Sequence, residues 1–410
     1  MFPPGNNGDG SHYSLFSSCA PLYPARVMDI STVLANESLR QQEFPVTKEK
    51  AFLAHAAVCP LPERVATAMR DYTTRCTQGD QEDVLPENLL AETRSLAAQM
   101  INAKPEEIAL VGPTSLGLSL IANGLSFRRN DNILVYLDDY PSNVYPWMAL
   151  ADRGVEVRFL NIRELGRLRP LDIIGQVDEQ TRLVAIASCH FISGWRVELE
   201  AIGKFLRGKN ILFCVDGIQT LGAFPTTVEY IDFMAADAHK WLLGPCSAGI
   251  LYVRRELQDR LMPSIYGWHN VKCPNYVAQE EIVFRNDARR YEAGSNNLVG
   301  LAGLNAGLKM LQEIGVEHIG RELLRKRAFL VPQLVAKGYT VLNAEVATQN
   351  ASGIITFFKA DTDLASLHQK LLTNGVQTSL RTDRTGKQYI RVSPHFYNTD
   401  EELGKLLKFL

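Results

Sequence analysis

The stretch 211–253, ILFCVDGIQTLGAFPTTVEYIDFMAADAHKWLLGPCSAGILYV, contains two short apolar runs that end in residues able to do chemistry. The first, ILFCV, stops at Asp216; the second, IDFMAA, leads into Asp237, Ala238, His239 and Lys240. Apolar runs of this length, stopped by polar or glycine residues, read as buried strands. Asp216 and Lys240 would then stand at the carboxyl edge of neighbouring strands, where open α/β sheets gather their sites. A lysine amine condenses with an aldehyde, and a carboxylate keeps a pyridine nitrogen protonated. Together the two residues fit pyridoxal 5'-phosphate (PLP) chemistry, with a Schiff base on Lys240 and a ring, facing Asp216, that accepts the electrons of a substrate carbanion. Either residue alone would read as a solvated charge at a strand end.

Asp216-Gly-Ile-Gln219, then His239-Lys240 and Gly244-Pro245, resemble the cofactor motifs of the class V aminotransferase superfamily, which are fold-type I PLP enzymes. The branch most similar in these motifs holds cysteine desulfurases, selenocysteine lyases, isopenicillin N epimerase and kynureninase. The likeness runs from about residue 44 to residue 410. The order of acid, Gln, His-Lys and Gly-Pro makes chance a poor explanation.

The cofactor phosphate is expected where Val111-Gly-Pro-Thr-Ser115 turns into a helix, because a helix N-terminus offers free N–H groups and positive dipole character. Pro113 removes one donor that relatives have, so the contact is assigned to Thr114 and Ser115, which would also serve as helix caps. His239, beside the lysine, is a further phosphate contact. Asp237 stands where the family often carries Ser; a carboxylate there would repel the dianion unless it faced away.

By resemblance, Gln219 donates to the cofactor's phenolic oxygen, and Tyr140 takes the ring-stacking place that desulfurases give to His. Ser295, in a Gly-Ser-Asn turn, matches the hydroxyl that reaches the phosphate of a partner subunit, which implies a homodimer with shared sites. Arg391 matches the arginine that binds the substrate carboxylate; His55 and Ala57 match the segment bordering the substrate. His190, at the end of another expected strand, is placed in the pocket lining, and Arg381 is a candidate for a second acidic group.

One departure bears on the reaction. Desulfurases carry a nucleophilic Cys on a loop before the carboxylate-binding arginine, and 379–390 here contains none. The reading is a lyase acting on a β-substituted amino acid, C–S lyase-like, through a Cα carbanion. Aminotransferase and epimerase are the alternatives within the class, and a non-catalytic PLP-binding protein is the alternative outside it.

The elements that must position these residues form an α/β pattern. Strands are expected at 107–111, 132–137, 155–160, 182–187, 211–215 and 231–235. Helices fall at 28–39, 61–75, 87–101, 116–125, 142–152 and 198–207. The alternation implies a mostly parallel sheet covered on both faces. The resemblance makes it a sheet of the seven-stranded type in a large domain, 61–298. A long helix at 299–314 leads into a smaller α+β domain, 299–410, with a helix at 319–336, strands at 353–358 and 388–392, and a last helix at 400–410. Residues 28–60, with an extended stretch at 52–57, are expected to pack with the small domain, and the Pro-, Gly- and Ser-rich 1–27 to form a flexible extension.

Composition excludes more than it assigns. In 410 residues, 43 Lys and Arg nearly balance 45 Asp and Glu, so neither nucleic acid nor a membrane surface is an expected partner. Seven scattered cysteines without a CxxC pair argue against a metal site and for a reduced, cytoplasmic setting. No basic-then-apolar leader opens the sequence.

Overall fold

The structure, a computed structural model, describes residues 28–410; the extension read at 1–27 lies outside the described residues. Seven strands form one sheet. Their spatial order is Ile108–Val111, Gly249–Val253, Phe233–Asp237, Leu212–Asp216, Thr181–Ala187, Asn132–Val135 and Glu156–Phe159. All run parallel except Gly249–Val253, which is antiparallel to both of its neighbours.

Burial on both faces explains why the strands are continuous apolar runs. Leu212 and Cys214 enter one core together with Phe233, Ala235 and Leu251. Phe213 and Val215 enter the opposite core with Met234, Ala236 and Ile250. Successive side chains of a strand point to opposite faces, so a strand covered on both sides has no polar face to show. One core is covered by helices that include Leu89–Met100 and Leu298–Ile314, the other by Thr114–Gly124.

A second, four-stranded antiparallel sheet orders Ser379–Thr382, Gln388–Val392, Ile355–Phe358 and Thr340–Val341 around a third core. Ala51–Phe52 pairs in parallel with Val376–Gln377, which ties the 28–60 segment to this C-terminal part. Gly315, at φ 84, separates Leu298–Ile314 from Val316–Ala336; only a residue without a Cβ adopts that backbone cheaply.

Several expected elements differ in the structure. The helix expected at 28–39 is two helices, Ile30–Ala35 and Glu37–Glu43, because the Asn36 side chain accepts from Leu39 N–H at 3.0 Å and starts a new one. The segment 142–152 is broken into short turns, Pro141–Asn143, Tyr145–Met148 and Ala149–Arg153, under the influence of Pro141 and Pro146. The strand placed at 231–235 is Phe233–Asp237, which puts Asp237 inside the ladder. The strands Gly249–Val253, Ser379–Thr382 and the two-residue ladders were not anticipated.

One buried ion pair fixes the sheet edge that leads to the phosphate turn. The wholly buried Glu292 carboxylate accepts from Leu110 N–H at 2.8 Å, from Arg94 Nη2 at 2.9 Å, and from Arg94 Nη1. Its second oxygen also takes Asn296 Nδ2 at 3.3 Å, beside Ser295.

Candidate active site

The strand ends Val111, Asp237, Asp216 and Ala187 share one edge of the sheet: Asp237 and Val111 both pair with Gly249, and Asp216 pairs with Ala187. Gly249 has to be glycine, since a Cβ there would lie 2.6 Å from Ala236 O and 2.9 Å from Asp237 Cα. A cavity of about 260 Å³ opens above this edge. It gathers Thr114, Ser115, Tyr140, Asp216, Gln219, His239, Lys240 and Arg391, together with Ala57 and Arg381. Larger grooves of about 600 and 840 Å³ lie elsewhere on the surface, and neither contains Lys240 or Asp216.

Lys240 is 6% exposed. Burial pushes its amine down to about 8 from an ordinary 10.5, against the pull of the Asp216 carboxylate. Asp216 is itself buried, and desolvation raises its pKa against the Ile218 N–H and the Lys240 charge, which lower it. Its Oδ1 accepts that Ile218 N–H at 3.0 Å, and among the described residues no donor meets Oδ2. A cation delivered by a bound ring would relieve this carboxylate. The Lys240 amine stands 5.3 Å from the centre of the Tyr140 ring, which is itself held edge-on against Phe191 at 5.3 Å.

Thr114 and Ser115 open the 11-residue helix Thr114–Gly124, whose first N–H groups have no partner within the helix. The Thr114 hydroxyl accepts from Asp237 N–H at 3.0 Å and so keeps its own proton to donate. Ser115 Oγ lies 2.8 Å from Ser142 Oγ. The carboxylate of Asp237 is turned into the backbone. It accepts from the N–H groups of Ala238, Ser247 and Ala248 at 2.9–3.0 Å and from His239 Nδ1 at 2.7 Å. Desolvation raises its pKa, but these donors outweigh that and hold it below the usual carboxylate range. His239 is thereby fixed through one nitrogen, while the acid's charge is absorbed locally.

Gln219 is more occupied than expected. Its Nε2 donates to Ala56 O at 3.1 Å and its Oε1 accepts from Trp241 Nε1 at 2.9 Å, so one amide hydrogen remains for a ligand. Arg391, 1% exposed, donates through Nη1 to Phe191 O at 2.6 Å.

Two expected substrate contacts are corrected. His55 does not line the cavity: it is wholly buried, with Nδ1 3.0 Å from Ser393 O and Nε2 2.7 Å from the Tyr397 hydroxyl. His190 is likewise internal. Its Nδ1 accepts from Ser193 N–H at 3.0 Å and its Nε2 donates to Asp138 O at 2.9 Å. Burial pushes both imidazoles well below their ordinary pKa, to about 3 and about 4, so they are neutral scaffold groups. Ser295 stands apart from this chain's own cavity, with Oγ 3.5 Å from Glu82 Oε1.

Asp139 was overlooked, although the Asp138-Asp139 doublet at a strand end was a visible signal. It accepts from Tyr140 N–H and Ala187 N–H, both at 2.8 Å, and from Asn143 Nδ2 at 3.1 Å, which anchors the Tyr140 turn to the strand beside Asp216. Burial, with the Asp216 charge behind it, pushes its pKa up to about 7.

A buried lysine and a carboxylate beside adjoining strand ends of a mostly parallel sheet are the arrangement that PLP chemistry needs. The family model described as aminotransferase class-V matches residues 51–406, and the chain belongs to that family, whose cofactor is PLP. The chain is 30% identical to a probable cysteine desulfurase of Methanothermobacter thermautotrophicus, over 89% of this chain and 95% of that protein. It is 28% identical to an uncharacterized aminotransferase of Bacillus subtilis, over 88% and 94%. The apo structure of a cysteine desulfurase from Thermococcus onnurineus superposes with a TM-score of 0.81 at 25% identity, covering 90% of this chain and 95% of that one.

Proposed function

We propose that the protein is a PLP-dependent lyase acting on a β-substituted amino acid, C–S lyase-like, without a desulfurase-type catalytic cysteine. The observation that carries this reading is the cavity wall: Lys240 and Asp216 are present, and the hairpin of Ser379–Thr382 and Gln388–Val392 that supplies Arg381 and Arg391 has no thiol. Among the described residues no cysteine lines the cavity; Cys59 and Cys189 are buried elsewhere.

The residues fit the cofactor. Thr114, Ser115 and His239 would hold the phosphate, Asp216 the ring nitrogen, Gln219 the phenolic oxygen, and Tyr140 would cover one ring face. PLP, bound there, supplies the aldehyde that takes up an amine and a ring that accepts electrons from Cα. Lys240, an amine kept half-neutral near pH 8, takes the Cα proton and returns one. Arg391 offers its Nε and Nη2 edge to the substrate carboxylate, a fork that orients the Cα–H bond. With the β-substituent lost as a protonated leaving group, cysteine plus water would give pyruvate, ammonia and sulfide.

Supplied with L-cysteine, the enzyme is expected to release sulfide and pyruvate in equal amounts, with no sulfane sulfur on the protein. Alanine formed in step with a protein persulfide would overturn the missing-thiol reading. A keto acid that retains the side chain would indicate transamination, and racemised substrate would indicate epimerisation.

The same reading includes a second copy of the chain. Its support is the exposed Ser295, which lies outside its own cavity in a turn beside Gly112 and Ser247. Ser295→Ala and Lys240→Ala chains, refolded together, are expected to recover about a quarter of wild-type activity, because half the dimers carry one intact shared site. An active monomer in sedimentation would remove this part of the proposal.

A further inference from the structure

The cavity holds more uncompensated positive charge than one carboxylate can use. Arg391 Nε and Nη2, and Arg381 Nε, are buried atoms without a hydrogen-bond partner among the described residues. Arg167, Arg207 and Arg254, outside this cavity, also have one unpartnered nitrogen each, but each stands within ion-pair distance of a carboxylate. Arg40 reaches Glu402, Arg94 reaches Glu292, and Arg290 reaches Asp259. Arg391 and Arg381 meet no carboxylate within ion-pair distance among the described residues. Burial pushes the Arg391 guanidinium well down, and Arg381 beside it adds to that.

The strand register brings the two together. Ser379 pairs with Arg391 and Arg381 with Tyr389, so residues 381 and 391 are diagonal neighbours on one face of the hairpin. Diagonal pairs lie roughly 7–8 Å apart, within reach of two long side chains around one ligand. Tyr140 lines the same cavity as both arginines.

The free Nε and Nη2 of Arg391 form one edge of a guanidinium, a bidentate seat for a single carboxylate. Filling it leaves Arg381 with a buried, unpaired donor, and a buried charge without a partner is costly. We propose that the substrate carries a second acidic group on its side chain, a carboxylate or sulfinate, which Arg381 binds while Arg391 takes the α-carboxylate. This rests on the reading of the cavity as an amino-acid site, and names the substrate class for it.

The probes are succinate and butyrate, which have the same carbon count and no amine, titrated calorimetrically into the holoenzyme. Succinate is expected to bind at least about tenfold more tightly than butyrate. Arg381→Gln should reduce that preference to within about twofold, and Arg381→Lys, which keeps the charge, should retain part of it. Equal affinities in the wild type, or a succinate preference that survives in R381Q, would overturn the proposal. So would loss of both ligands in R381Q with an unchanged melting temperature, since Arg381 would then serve the α-carboxylate. Borohydride labelling of Lys240 in the same preparation reads the cofactor assignment separately: a missing label with the succinate preference intact counts against PLP at Lys240, not against the arginine pair.

Discussion

Replacing Lys240 with alanine is expected to slow pyruvate release from a β-substituted amino acid by about 10²–10⁴-fold, the contribution of a positioned proton-transfer group. Borohydride reduction of the wild type should leave a pyridoxyl label on Lys240, and none on the K240A peptide. The pH behaviour of the cofactor-free protein is a second readout. Burial favours the neutral amine, so the folded chain binds fewer protons here than the unfolded chain between pH 8 and 10.5. This group's penalty to folding is therefore present below about 8 and relieved as pH rises to 10.5. Reductive methylation at Lys240, followed by peptide mass, should reach half its maximum rate near pH 8. A midpoint at the ordinary lysine value, or a label on another lysine, would show that the assignment is wrong.

Glu292→Ala is expected to cost about 3–5 kcal/mol of stability, because it strands a buried guanidinium. Arg94 would keep only the Ile108 carbonyl at 3.2 Å, and Leu110 N–H would lose its acceptor. Urea unfolding measures this directly. The double replacement Arg94→Met with Glu292→Leu should recover much of the loss, since a hydrophobic pair of similar volume avoids the desolvation cost. A loss below about 1 kcal/mol for the single variant would mean that water or a neighbour already compensates the charge.

Much of the sheet edge beside the cavity was readable in the sequence. Asp216 and Lys240 could be placed because each follows an apolar run that only a strand buried on both faces would need. The antiparallel strand Gly249–Val253 was not readable. It is a five-residue apolar run without alternation, and its partners, Ile108–Val111 and Phe233–Asp237, are set by tertiary pairing. Asp237 could be posed as an electrostatic problem, but its solution was not: two of the three backbone N–H groups that absorb its charge come from a turn ten and eleven residues later, at Ser247 and Ala248. His190 was misplaced because a position near a strand end does not say which way an imidazole turns, and His55 because its match to a segment bordering the substrate does not say so either. Their partners, Tyr397 and Asp138, are brought to them by the fold.

The reversed strand also sets a timetable for biosynthesis. Ile108–Val111 joins the large sheet only through Gly249–Val253, so its place in the sheet stays open until residue 253 has left the ribosome. Ser379–Thr382 and Gln388–Val392, which bring Arg381 and Arg391 to the same cavity, are made later still. Pairings this distant close late in folding. A nascent chain therefore has no complete pocket to offer: the cavity residues assigned to the cofactor precede residue 253, and the two arginines assigned to the substrate come last.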